Sequence, residues 1–303
     1  GKSKGGSWSL PPYNARLDVS SYYEGNTAAR PDIGFRYLIE VVSVKNSFTP
    51  VKMDKTYFKK QFVALPDSIK SKKIWACKTE VSNAEYQTFL NEVKDSTYAI
   101  KSSNWSAYFK YGYYQMYGVN SGFNNYPVVN ITYEAVLAYC DWLTQKYNNT
   151  KGRTYQKVKF KLPNNSEWEL AALGGHKDFH FPWGGPYLRN SVGCYLANFS
   201  PLEDRFLYRK NSVLKYNYPD DDITISRGID GAIIPSTVTS YFPNDIGLFN
   251  CSGNVSEMLN IKYQAKGGSW FSGYQTLLIR SNEIYTSENP LTGFRVFMEV
   301  VEK

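Results

Sequence analysis

The 303-residue sequence has no run of about 18 apolar residues, and this excludes a membrane-spanning helix. Histidine is scarce. The only two, His176 and His180, sit between Gly174-Gly175 and Pro182-Trp183-Gly184-Gly185, a setting that predicts a loop rather than a helix face carrying two metal ligands. Cysteine is also sparse. Cys77, Cys140, Cys194 and Cys251 are scattered with no Cys-x-x-Cys pair, which argues against a structural zinc site and a thioredoxin-like motif. The redox compartment stays open, because scattered thiols can be reduced or paired. The net charge is +8, yet no nucleic-acid-binding motif accompanies it. Lys45, Lys52, Lys55, Lys59, Lys60, Lys70, Lys72, Lys73 and Lys78 crowd one region and predict a solvated basic face or an acidic protein partner. No signal peptide is visible and residue 1 is a glycine just before a motif, so the chain is expected to begin partway through a longer or processed protein.

What the chain does have is apolar material, 42% of residues, with aromatics at 17% and tyrosine dominant. That is enough for a real core in one large domain or two ordinary ones. It also has an internal repeat. Lys4-Gly5-Gly6-Ser7-Trp8 leads to Gly34-Phe35-Arg36, and Lys266-Gly267-Gly268-Ser269-Trp270 leads to Gly293-Phe294-Arg295. Each copy has an arginine between its ends (Arg16 or Arg30; Arg280) and finishes in an apolar strand-like tail.

Between the copies the pattern is α+β. Residues 37–44 read as a strand, as do Tyr57-Phe58 and Phe62-Val63-Ala64, before Pro66 breaks the run. A helix follows Val81, capped by Ser82 or Asn83, with Tyr86, Phe89, Leu90 and Val93 on one apolar face. Residues 101–125, rich in Tyr, Asn, Ser and Gly, predict a long aromatic loop. Tyr126 to Ile131 reads as a short strand. Thr132 then caps a second helix that buries Val136, Tyr139, Cys140 and Leu143, with Trp142 beside that stripe. Asn164 and Glu167 form a capping box for a third helix, and Gly174 ends it. Residues 176–250 dissolve into loops, a length that calls for a function or for a holder such as a bound cation. Residues 251–302 return to strands and turns.

Seven blocks in order resemble the formylglycine-generating enzyme family, also called the sulfatase-modifying-factor domain. They are Glu80-Val81-Ser82-Asn83-Ala84-Glu85-Tyr86; Tyr126-Pro127-Val128-Val129 with Ala138-Tyr139-Cys140-Asp141-Trp142; and Leu162-Pro163 with Glu167-Trp168-Glu169 and Ala171-Ala172-Leu173-Gly174-Gly175. Pro182-Trp183-Gly184, Gly253-Asn254-Val255-Ser256-Glu257 and the two ends of the second repeat copy complete the series. The resemblance covers roughly residues 72–302 and implies a loop-rich, C-type-lectin-like α+β fold. It makes 72–303 the intact domain, 44–71 a lysine-rich connection, and 1–43 the C-terminal segment of a preceding, truncated module. On that reading 1–43 packs as core strands, with Trp8 and Phe35 buried.

Enzymes of this family oxidise a substrate cysteine with two cysteines of their own, which bind copper just after Gly-Gly-Ser; soft sulfur ligands select Cu(I). Trp270 to Arg280 contains no cysteine and is several residues shorter than in the enzymes, and Trp8 to Arg16 has none either. The resemblance therefore implies a non-catalytic member without copper. The family also often pairs the position of Cys140 with a cysteine directly after Gly-Phe-Arg, where this chain has Val296. Two structural calcium ions are implied, one at Asn198 and Phe199 with Asp230 and Ala232, the other at Ser252, Gly253, Val255 and Glu257. Calcium needs about 6–8 hard oxygen ligands of this mixed kind. Asp220-Asp221-Asp222 reads as a solvated acidic loop.

Non-catalytic members that resemble this chain at Asp32-Ile33-Gly34-Phe35-Arg36 occur as lipoproteins of the type IX secretion and gliding-motility apparatus. The implied role is protein–protein contact in a bacterial cell-envelope assembly, periplasmic or at the cell surface, attached to the outer membrane through a lipid anchor or partner. The candidate interface is a Tyr- and Lys-rich surface. The alternatives are a ligand- or glycan-binding lectin-like module, using Trp105, Tyr108, Phe109, Tyr111, Tyr113 and Tyr114, and a metal-dependent oxidase acting on a protein cysteine.

Overall fold

The computed structural model describes residues 2–4, 20–22, 49–66, 73–108, 116–200, 207–210, 213–216 and 234–302. Gly1–Lys45 and Asn46–Lys303 are separate compact units. In the first, strands β1 (Lys2–Lys4) and β2 (Ser20–Tyr22) pair antiparallel. Trp8, Phe35 and the strand expected at 37–44 lie outside the described residues.

The second unit begins with helix α1 (Lys55–Gln61), whose N-cap Asp54 accepts hydrogen bonds from the Thr56 and Tyr57 backbone N–H groups. This corrects the strand expected at Tyr57-Phe58: one aspartate cap nucleates a helix turn that buries Phe58. Strand β3 (Phe62–Ala64) follows directly and pairs antiparallel with β4 (Ile74–Cys77). The lysine-rich stretch is therefore more than a connection, since Phe58 and Phe62 belong to the core and the unit starts near residue 46 rather than 72.

Three longer helices carry the expected caps. Helix α2 (Asn83–Val93) has a capping box in which Ser82 accepts from Glu85 N–H and the Glu85 carboxylate accepts from Ser82 N–H and Oγ–H. Thr132 accepts from Ala135 N–H to start α3 (Tyr133–Asn148). Asn164 and Glu167 box α4 (Asn165–Leu173), which Gly174 ends in the left-handed region. Such caps satisfy the backbone N–H groups a helix leaves unpaired.

Strand β5 (Lys157–Lys161) completes one four-stranded sheet, ordered β3-β4-β12-β5 and antiparallel throughout. Its two inner strands are β4 and β12 (Phe297–Glu302), so a strand from late in the sequence is inserted between β4 and β5. Alternation along a strand puts successive side chains on opposite faces, and both faces are covered. Met298, Cys77 and Phe160 pack with Tyr86, Phe89, Tyr139 and Leu143 of α2 and α3. Phe297, Ile74 and Ala76 pack with Trp168, Ala171 and Ala172 of α4. At about 25 cal/mol per Å² of apolar area, these two layers are the main stabilising term.

A hairpin, β6 (Leu207–Lys210) with β7 (Val213–Tyr216), lies within residues 176–250, where only loops are expected from the sequence. A second sheet is ordered β10-β9-β8-β11, from β8 (Ser256–Met258), β9 (Gln264–Lys266), β10 (Glu283–Ile284) and β11 (Thr292–Gly293). Tyr126 to Ile131 is not a strand; it meets Ser82 through an isolated bridge at Pro127 and bends at Asn130, whose φ is +60. Val93 sits 38% exposed in the last turn of α2, which Lys94 caps in the left-handed region, rather than on the buried stripe. The tyrosines largely serve the core: Tyr86, Tyr117, Tyr139, Tyr147 and Tyr285 are buried, so tyrosine abundance does not by itself mark a surface. No helix among the described residues is long and apolar enough to cross a membrane.

Candidate functional site

The repeated motif sits at the junction of both sheets. Lys266 ends β9 fully buried, its ammonium donating to Glu169 (2.9 Å), the Ser281 carbonyl (2.7 Å) and Asn282 Oδ1 (3.1 Å). Gly268 follows at φ +73, where a Cβ would lie 2.7 Å from Thr276 Oγ1 and 2.9 Å from Leu277. The chain must pass that close, so only glycine fits. Trp270 is buried and donates to the Pro290 carbonyl (3.0 Å). In the segment that bears the copper cysteines of catalytic members, the Ser269 and Ser272 hydroxyls hydrogen-bond to each other at 2.8 Å.

Beside it runs the tight turn from Cys251 to Glu257. Gly253 adopts φ +76, and a Cβ there would lie 2.3 Å from the Asn198 carbonyl oxygen. The backbone of that turn is tied on both sides: Gly253 N–H donates to the Gly267 carbonyl, and Asn254 N–H to the Asn198 carbonyl, each at 2.7 Å. Ser252 Oγ donates to the Leu277 carbonyl (2.6 Å), and Val255 packs against Trp105, Tyr117 and Trp270.

Two charged groups lie beneath. Arg295 and Glu257 are each 1% exposed and form a forked ion pair, with Nε 3.0 Å from both carboxylate oxygens and Nη2 2.6 Å from Oε1. Arg295 also donates to the Cys77 and Phe249 carbonyls, and Trp168 Nε1 donates to Glu257 Oε2 (2.7 Å). Burial works against the Arg295 charge, but the Glu257 carboxylate, with Cys251 and Glu80 nearby, raises its pKa overall. Glu80, 0% exposed, accepts from Asn250 Nδ2 (3.1 Å) and Asn254 Nδ2 (2.8 Å). Burial pushes its carboxyl up to about 8, against the lowering influence of Arg295 and the two amides. The sequence signal for this network is Arg295 inside an otherwise apolar run, between Phe294 and Val296-Phe297-Met298, whereas Glu80 stands among polar residues and gives none.

The residues expected to hold calcium fall in two groups. Asn198 and Phe199 are buried against the Gly253 turn, while Asp230 and Ala232 lie outside the described residues. Asn198 Nδ2 donates to the Ile234 carbonyl (2.9 Å), but its Oδ1 is buried with no hydrogen-bond partner, and a hard oxygen left over in this way suits a calcium ligand. Ser252, Gly253, Val255 and Glu257 are together on one turn, yet the Glu257 carboxylate is taken up by Arg295 and Trp168. That carboxylate does not fit a second calcium.

The thiols are equally committed. Cys77, Cys140 and Cys251 are buried. Burial pushes Cys77 and Cys251 up to about 12 and raises Cys140 further, which disfavours the thiolate that binds metal or attacks. Cys194 is exposed. In the aromatic loop Trp105 is buried, 6.1 Å from Trp270, and Tyr108 packs on Phe271 at 5.2 Å. Phe109, Tyr111, Tyr113 and Tyr114 lie outside the described residues.

Residues 50–300 match the Sulfatase-modifying factor enzyme 1-like domain, and the chain belongs to that family. Among curated proteins it is similar to the Inactive C-alpha-formylglycine-generating enzyme 2 of Bos taurus, 29% identical over 154 residues, which are 48% of this chain and 38% of that protein. It is also similar to the Formylglycine-generating enzyme of Thermomonospora curvata, 29% identical over 133 residues, 44% of this chain and 32% of that one. The match thus spans less than half the length of these relatives. PvdO from Pseudomonas aeruginosa is a structural neighbour at TM-score 0.48 and 16% identity, covering 78% of this chain and 90% of its own.

Proposed function

We propose that this chain is a non-catalytic member of its family that works by binding other proteins, as a scaffold subunit of a bacterial cell-envelope assembly like those of type IX secretion and gliding motility. The observation that carries the reading is that Trp270 to Arg280 offers no thiolate and that Ser272 within it hydrogen-bonds to the motif serine Ser269. Serine hydroxyls are hard neutral donors and do not replace the soft sulfurs that select Cu(I). The buried thiols elsewhere are held protonated at neutral pH by desolvation, Cys77 and Cys251 at about 12. A structural calcium at Asn198 and Phe199, completed by Asp230 and Ala232, fits the unpartnered Asn198 Oδ1. The proposed location is periplasmic or at the cell surface, attached to the outer membrane through a lipid anchor or partner.

The test is Cu(I) competition against a chromophoric chelator, together with an aldehyde assay on a cysteine-bearing peptide. No stoichiometric copper and no aldehyde are expected. One bound copper with conversion of the peptide cysteine would overturn the reading. Isolation under native conditions should also retain other protein subunits; a chain recovered alone and saturably bound to a glycan array would favour the lectin-like alternative.

A further inference from the structure

A cleft of about 290 Å³ opens beside β10. Its walls include Tyr108, Glu283, Tyr285, Asn289 and Leu291, over Ser256. Glu283 and Tyr285 alternate with Ile284, which is 82% exposed, so the two polar residues share the inward face of the strand. Each has a buried polar atom without a hydrogen-bond partner, Glu283 Oε1 and Tyr285 Oη. Glu283 Oε2 accepts from Ser256 Oγ (2.9 Å). Unpaired buried polar atoms are uncommon in folded proteins, and two on neighbouring inward positions of one cleft call for a partner.

The charge balance says what kind. Lys266, the cation that acts on Glu283, is already bound by Glu169, Ser281 and Asn282. Lys101, at the other end of the segment, pairs with Glu288 at 2.8 Å. Glu283 is thus a carboxyl without a counter-ion, and burial raises its pKa against the lowering effects of Ser256, the Gly268 backbone N–H and Lys266. An incoming anion would meet it unfavourably. A neutral amide would leave the charge unpaired. A compact ammonium has three donors and a charge, can reach a carboxylate and a phenol oxygen together, and is attracted by tyrosine ring faces such as those of Tyr108 and Tyr285. The volume lies at the small end of ligand cavities, which run from about 300 Å³ upward, and suits a single alkyl chain.

We infer that this cleft is a binding site for an alkylammonium group, either a free primary amine or the side chain of a lysine on another protein, with Glu283 as its counter-ion and Tyr285 as a second acceptor. The site is separate from the proposed scaffold role and does not depend on it.

Titration of the full chain with n-butylammonium chloride, read by tyrosine and tryptophan fluorescence at constant ionic strength, tests this. Saturable binding near a millimolar Kd is the scale for so few atoms, with no saturation by butan-1-ol. E283Q should weaken binding by about tenfold, while S287W, at the exposed rim, should block it without touching the buried groups. Nα-acetyl-lysine methylamide separates the two sources: tighter binding than butylammonium marks a partner's lysine, equal binding a free amine. Butan-1-ol binding as well as the ammonium, or undiminished binding by both E283Q and S287W, would overturn the inference. So would no saturation up to ~50 mM, which would leave the cleft to water alone.

Discussion

Replacing Glu257 by glutamine tests the central ion pair and the calcium assignment at once. Glutamine keeps the shape and one oxygen, but it removes the charge that balances Arg295 and turns an amide N–H₂ toward either Trp168 Nε1 or the guanidinium, both donors. Both partners are 1% exposed, so water cannot make up the difference. Breaking a buried pair by removing one partner costs about 3–5 kcal/mol. In a unit of this size 1 kcal/mol moves the melting temperature by about 2–4 °C, so E257Q should lower it on the order of 6–20 °C. The double variant E257L/R295M should cost less than the two singles together, with coupling on the order of 2 kcal/mol. It will not return to wild type, because the Cys77 and Phe249 carbonyls and the Trp168 N–H each lose a partner.

The assay is scanning calorimetry with and without a calcium chelator. With Glu257 in an ion pair, any destabilisation by the chelator is the same in wild type and E257Q, since the calcium proposed above would be held at Asn198 and not at Glu257. If E257Q alone loses its chelator response, Glu257 is a calcium ligand and the ion-pair reasoning fails. A loss below about 1 kcal/mol in E257Q would refute it on energetic grounds.

Stability should fall as pH rises from about 4.5 toward about 8, because the folded state holds a proton on Glu80 that the unfolded chain releases. The contribution is full below the unfolded pKa and lost as pH passes the folded one, with a slope of at most about 1.4 kcal/mol per pH unit. Denaturant melts of wild type and E80Q across that range check it, since the difference between the two curves should carry the slope. A thiol reagent at neutral pH should modify Cys194 rapidly and the buried Cys77, Cys140 and Cys251 only on unfolding; a second fast-reacting thiol would contradict the burial. G253A should cost at least about 3 kcal/mol, combining left-handed strain with a Cβ 2.3 Å from the Asn198 carbonyl. G247A, equally left-handed but with nothing within 4 Å, should cost only about 1–2 kcal/mol, and chemical denaturation compares the pair.

Helix starts were readable from sequence because caps are local: Ser82, Thr132 and Asn164 each reach a backbone N–H three residues on. The segment Tyr57-Phe58 misled for the same reason in reverse, since two adjacent aromatics look like a strand until Asp54 is counted as a cap. The boundary near residue 46 was hidden because β3 is three residues long and gains its meaning only by pairing with β4. Pairings across the chain were less legible still. Arg295 meets Cys77 across 218 positions, and Asn254 meets Glu80 across 174. No periodicity reports such contacts. What sequence did carry was the cost of Arg295, which stands between Phe294 and Val296-Phe297-Met298 and must be paired if it is buried.

That cost bears on function. The buried Arg295–Glu257 pair, the Glu80–Asn254 contact and the close glycine at 253 fix the turn that is hydrogen-bonded to the Gly-Gly-Ser segment. The segment that follows that Gly-Gly-Ser turn, Trp270 to Arg280, contains no cysteine. Neither Ser269 nor Ser272 belongs to the two apolar clusters on the faces of the central sheet, so a change at Ser272 leaves that core in place. Putting cysteine at Ser272 therefore separates scaffold from chemistry. S272C should fold with little change in melting temperature, lose the 2.8 Å hydroxyl pair, and gain at most weak Cu(I) affinity, because one thiolate without a second does not make a linear or trigonal soft site. Tight stoichiometric copper in S272C would mean that a second soft ligand already waits beside the turn.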